Sequence, residues 1–197
     1  MKRLLGAAAV LFFVMACSSL IFGEGTKPKD EPKKNGLIRQ YYDSGELMAE
    51  LNYKNDQLEG KAYEYYKNGK IKSERVFKNN VAQGPYKTFY QSGGLWGVGQ
   101  YDQGKKVGIV KGYYKTGQLQ GDWPYNKDGK REGVAKLYYK DGPLLAEDNY
   151  KDDKIDGACK GYYDTGELFY VETYKDGLRT ERKEYEKSGV LLTETKY

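Results

Sequence analysis

A pair of aromatic residues recurs along this chain at a nearly fixed interval: Tyr41-Tyr42, Tyr65-Tyr66, Phe89-Tyr90, Tyr113-Tyr114, Tyr138-Tyr139 and Tyr162-Tyr163, with a degenerate seventh copy at Tyr185-Glu186. The second members lie 24, 24, 24, 25, 24 and 23 residues apart. Such a period constrains the fold more tightly than composition does. Each repeat is one supersecondary unit, and it buries its apolar surface only against its neighbours. We number each unit from the second aromatic as position 0. A glycine then stands at +3 in every copy (Gly45, Gly69, Gly93, Gly117, Gly142, Gly166, Gly189). An aliphatic residue stands at +5, from Leu47 to Leu191, and an aromatic at +11, from Tyr53 to Tyr197. A late glycine closes the first five units, at Gly60, Gly84, Gly108, Gly133 and Gly157.

The residue before the +3 glycine is small and polar (Ser44, Asn68, Ser92, Thr116, Asp141, Thr165, Ser188), which is the signal of a two-residue hairpin turn. With those two residues at the tip, paired positions sum to five, so Tyr42 faces Leu47. The same register sets Arg39 against Glu50, Lys111 against Asp122, Lys136 against Glu147 and Lys183 against Glu194. Opposite charges across a strand pair are favourable, so these pairs check the register. A second turn follows the +11 aromatic, at Asn55-Asp56, Asn79-Asn80, Gln103-Gly104, Asp128-Gly129, Asp152-Asp153 and Asp176-Gly177. The reading is all-β: a single-layer antiparallel meander of about seven hairpins and fourteen short strands. It ends at Tyr197 with no separate cap expected.

Composition agrees. The chain holds 21 Tyr and 25 Gly but only 5 Pro, which suits short strands joined by tight turns. There is no histidine, which removes the commonest general base and metal ligand. The glutamate row at +8 shows no acid/base or metal spacing, so the chain reads as a non-enzyme with no metal and no cofactor. The net charge of +5 falls to +3 if Lys2 and Arg3 are removed, too balanced to argue for a nucleic-acid partner.

Residues 1–16 read as a lipoprotein signal peptide. Lys2 and Arg3 precede an apolar run from Leu4 to Met15 that is too short to span a bilayer. Val14-Met15-Ala16-Cys17 resembles a lipobox, which implies cleavage before Cys17 and lipid on that cysteine. An ordinary secretory signal is the competing reading. Residues 17–36 then form the lipidated cysteine and a charged tether, with a reach of roughly 25 Å. Residues 37–197 form the repeat domain. Ser18 after the cysteine points to the outer membrane if the host has two membranes.

The unit Y-Y-x-x-G-x-L-x-x-E-x-x-Y-K-D-G, clearest in YYDSGELMAELNYKND and YYDTGELFYVETYKDG, resembles the MORN repeat variant of bacterial exported proteins. The resemblance implies a binding scaffold of the cell envelope with no catalytic residues. Proteins of this kind include the YwqK-family antitoxins, so an immunity protein that neutralises a partner toxin is one alternative. A surface-exposed adhesin is another. The expected partners are the membrane, through Cys17, and an envelope protein or toxin, with glycan or phospholipid as further contacts.

The expected binding face is the −1 aromatic row with the variable +6 position beside it: Tyr65, Tyr113, Tyr138 and Tyr162 with Trp96 and Phe169. Tyr at 0 and +11 is read as packing. Trp123 is placed with Tyr86, Trp96 and Tyr101 in a central aromatic cluster, where large aromatics serve as binding anchors. The lysine row at −3 reads as a solvated row paired with glutamates, and Cys159 as a small buried residue.

Overall fold

The computed structural model of the protein describes residues 33–197; the expected signal peptide, Cys17 and most of the expected tether lie outside the described residues. Sixteen strands form one sheet in chain order, fourteen of them on a continuous path, from Gly36–Tyr41 at one edge to Leu191–Lys196 at the other. The two-residue strands Val81–Ala82 and Lys154–Ile155 lie off that path. The all-β hairpin meander read from the period is therefore the fold.

The second turns form as their sequences require. Asn55-Asp56, Asn79-Asn80, Gln103-Gly104, Asp152-Asp153 and Asp176-Gly177 all have positive φ at both residues, the type I′ geometry that follows strand twist. The fourth copy differs. Asn126 N–H donates to Lys130 and Gly129 N–H to Asn126, which makes a three-residue loop. This loop takes up the extra residue of the 25-residue interval.

The first turns correct the sequence reading. In unit one, Gly45 N–H donates to Tyr42 C=O at 2.9 Å and Tyr42 N–H to Glu46 C=O at 2.9 Å. The loop has three residues, +1 to +3, with glycine in the left-handed position (Gly45 φ 96°). Tyr41, not Tyr42, faces Leu47. A bulge between Gln40 and Tyr41 then restores the expected register, and all four predicted charge pairs face each other. Arg39 reaches Glu50 at 2.9 Å, Lys183 reaches Glu194 at 3.7 Å and Lys136 reaches Glu147 at 3.8 Å.

A sheet is ordinarily stabilised by a second layer. Here the sheet is held by hydrogen bonds along both of its long margins. On the first-turn margin, each position-0 tyrosine donates its hydroxyl to the −1 carbonyl of the next unit. The donors Tyr42, Tyr66, Tyr90, Tyr114, Tyr139 and Tyr163 reach Tyr65, Phe89, Tyr113, Tyr138, Tyr162 and Tyr185 at 2.6–2.9 Å. On the other margin, the second residue of every type I′ turn donates its N–H to a carbonyl 22 residues earlier, at 2.8–3.1 Å.

One face buries a midline of small residues, among them Ala49, Ala62, Ser73, Ala135, Ala146 and Cys159. The aromatic rings that enter this midline lie over glycine. A Cβ at Gly99 would stand 2.7 Å from the Tyr86 ring, one at Gly121 would stand 2.8 Å from Trp123, and one at Gly161 would stand 2.1 Å from Tyr170.

Candidate binding surface

The position-0 ring row is load-carrying and also capped. Where the +1 residue of the following unit is lysine, its ammonium lies over the preceding ring: Lys67 over Tyr42, Lys115 over Tyr90, Lys140 over Tyr114 and Lys187 over Tyr163, at 5.2–6.0 Å. The +11 row is covered in the same way by Lys34, Lys106, Arg131 and Arg179, over Tyr53, Tyr125, Tyr150 and Tyr197. Such contacts are worth about 0.5–1 kcal/mol when exposed. Both rows thus contribute to holding the sheet.

The −1 row is half-buried, apart from Tyr41, which is exposed. Tyr65 donates to Glu50 and Tyr162 to Glu147, each at 2.9 Å. Burial and that carboxylate push the Tyr65 hydroxyl up to about 12. Tyr113 and Tyr138 occupy the equivalent places, both half-buried. The +6 residues are not beside this row, as expected, but beside position 0. Trp96 lies 6.2 Å from Tyr90, and Phe169 lies 4.8 Å from Tyr163. The bulge at the first turn accounts for this, because it removes +6 from strict alternation.

The expected central cluster separates into two parts. Tyr86 and Tyr101 do meet, with ring centroids 4.8 Å apart. Trp123 is buried over Gly112 and Gly121, so it is a packing residue and not an exposed anchor. Trp96 stands apart at the first-turn margin and is 41% exposed. A bulky residue facing glycine across the predicted register (Tyr86 with Gly99, Tyr170 with Gly161) was the available sign of a ring packed over the sheet.

A polar group is buried in units five and six. Burial is the largest influence on Glu172 and pushes its carboxyl up, but Arg179, Arg182 and Tyr174 all donate to it and hold it below the usual range. Burial raises the Cys159 thiol to about 12, so it is protonated at neutral pH and is not a nucleophile. Burial likewise raises Asp148, with Glu172 adding to the effect. An acid whose folded pKa is raised favours folding at low pH, and that contribution is lost as pH rises through the raised value. Asp148→Asn should therefore raise Tm by a few degrees at pH 7, with the difference vanishing near pH 3. A lower Tm at pH 7 would contradict this reading. Among the described residues, no group of three or more His, Cys, Asp or Glu is placed to hold a metal.

Between the first-turn ends of units two and three lies an open cleft of about 660 Å³, lined by Tyr66, Asn68, Lys70, Tyr90, Gln91, Ser92 and Lys115. Trp96 adjoins it through Tyr90.

Comparison with protein families gives a match to the MORN repeat variant over residues 34–55, 58–79, 106–127, 131–152 and 155–176. These stretches cover more than half of the 197 residues. They leave 80–105 between them, the stretch that holds Trp96 and three of the seven residues lining the cleft. A comparison with curated proteins gives no match. The repeat is a scaffolding motif without catalytic residues, and the chain is a non-enzymatic repeat scaffold for protein interaction.

Proposed function

We propose that this chain, which belongs to the MORN repeat variant family, is a lipid-anchored binding scaffold of the bacterial cell envelope that holds its partner at the first-turn margin around Trp96. One observation carries the choice of site. The repeated aromatics are engaged in holding the sheet, whereas Trp96 is exposed and lies in the stretch that departs from the family pattern. Large aromatics at the centre of a contact supply much of the energy of protein interfaces. The anchoring half of the proposal rests on the sequence. It takes residues 1–16 as signal, 17–36 as lipidated Cys17 and tether, and 37–197 as the binding domain, with the outer membrane favoured if the host has two.

The test is cross-linked capture from intact cells, read by mass spectrometry, with residues 17–36 alone as control. The proposal expects partners that the tether does not recover and that Trp96→Ser with Phe169→Ser abolishes. Equal recovery by the tether would end it. A captured protein with a toxin-like domain would give the scaffold an immunity role, and a host surface molecule would give it an adhesive one. Intact mass of the mature N-terminus tests the anchor: diacyl or triacyl mass on Cys17 supports it, and an unmodified cysteine refutes it.

A further inference from the structure

The lysine caps on the position-0 row are interrupted at two junctions: between units five and six, where the +1 residue is the carboxylate Asp164, and where units two and three meet. The +1 residue there is Gln91, and among the described residues no cation lies over Tyr66. The open cleft lies at this interruption. Its lining carries two ammonium groups, two side-chain amides and the Ser92 hydroxyl besides the two tyrosines, and no carboxylate. Asn68 donates to the Gln91 carbonyl at 2.9 Å and Lys70 donates to the Ser92 carbonyl, so the walls are fixed by the protein's own bonds.

We propose that this cleft binds an acidic saccharide, with a sugar ring on Tyr66 where a lysine sits at four other junctions. The C–H edge of a pyranose carries slight positive charge and meets the negative face of the ring, the same attraction that holds the lysines. The sugar's carboxylate lies toward Lys115 and Lys70, whose ammonium groups each carry three donors. The Gln91 amide and the Ser92 hydroxyl are within the same lining to meet ring hydroxyls. Tyr66 and the lysine-capped Tyr90 stand one unit apart, about 10 Å or two interstrand spacings, so a second linked pyranose meets the Lys115 ammonium and not a bare ring. A partner's lysine or arginine would also suit a bare tyrosine ring, but Lys70 and Lys115 repel it. The proposal names a ligand for the margin chosen above and rests on that reading.

The test uses the full chain in detergent micelles with fluorescent tetragalacturonate, read by anisotropy. Unlabelled cellotetraose and tetraglutamate serve as neutral and peptide competitors. The proposal expects saturable binding, and competition by tetragalacturonate at least about tenfold better than by either control, a difference of about 1.4 kcal/mol. Gln91→Lys is the decisive variant. A lysine at this position is native to four other junctions, so the fold tolerates it. It should cover Tyr66 and weaken binding about tenfold although it adds positive charge, a change again worth about 1.4 kcal/mol. Lys115→Gln should also weaken binding. The proposal is overturned by absence of saturable binding, by tighter binding in Gln91→Lys (which would mean simple charge attraction), or by tetraglutamate competing as well as tetragalacturonate. If it fails while cross-linked capture still recovers a Trp96-dependent partner, only the saccharide assignment falls.

Discussion

Replacing Tyr42, Tyr66, Tyr90, Tyr114, Tyr139 and Tyr163 together by phenylalanine is expected to destabilise the repeat domain severely while leaving every ring in place. Each substitution removes one hydroxyl that donates to a carbonyl of the next unit at 2.6–2.9 Å. A net hydrogen bond of this kind is worth about 0.5–1 kcal/mol where water partly reaches the acceptor, and the sites are far enough apart to add, giving about 3–6 kcal/mol. That is a large part of the stability of an ordinary domain. The loss falls on junctions between units, where a repeat array is vulnerable. Denaturant unfolding checks it: a total loss below about 1 kcal/mol, less than one typical hydrogen bond, would show that the hydroxyls do not hold the units together.

Gly121→Val is the second large effect. A Cβ at Gly121 meets the Lys136 carbonyl at 2.8 Å and the Trp123 ring at 2.8 Å. The carbonyl belongs to the adjoining strand, so it yields only if the sheet opens there. Overpacking of this kind costs about 3 kcal/mol or more. In a domain of this size that is a fall in Tm of about 6–12 °C. Gly161→Ala provides the contrast. Every close neighbour of its Cβ is the Tyr170 ring, the nearest atom 2.1 Å away. Tyr170→Ala should therefore rescue Gly161→Ala, whereas Trp123→Ala should not rescue Gly121→Val. Rescue in both cases, or in neither, would contradict the distinction between a clash with a side chain and a clash with the backbone.

The fold was legible because the period, the turn residues and the charge pairs are independent signals that agree. The first turn was misplaced by one residue, since a glycine after a small polar residue suits both a two-residue turn and the left-handed position of a three-residue one. The error did not propagate: the bulge between Gln40 and Tyr41 shifts the register back, so Arg39 still meets Glu50. It did misplace the +6 side chains, which the same bulge turns toward position 0. Trp123 was misread for a different reason. A tryptophan out of pattern resembles a binding anchor unless its glycine neighbours are read with it, and Gly112 and Gly121 leave room for the ring to be buried. The cleft at Gln91 had a faint signature, a missing lysine at +1, but its meaning depends on knowing that the other lysines cap rings in the preceding unit.

The account separates residues that hold the sheet from residues that bind. The most direct measurement compares cross-linked partner capture by two variants, at a temperature where circular dichroism shows both folded. One carries Tyr42→Phe, Tyr114→Phe and Tyr139→Phe, which weakens three junctions and leaves the cleft untouched. The other carries Trp96→Ser alone. The account predicts that the phenylalanine variant keeps its partner despite a lower Tm, and that Trp96→Ser loses it with Tm little changed. The reverse pattern, with capture lost in the phenylalanine variant and kept in Trp96→Ser, would contradict it.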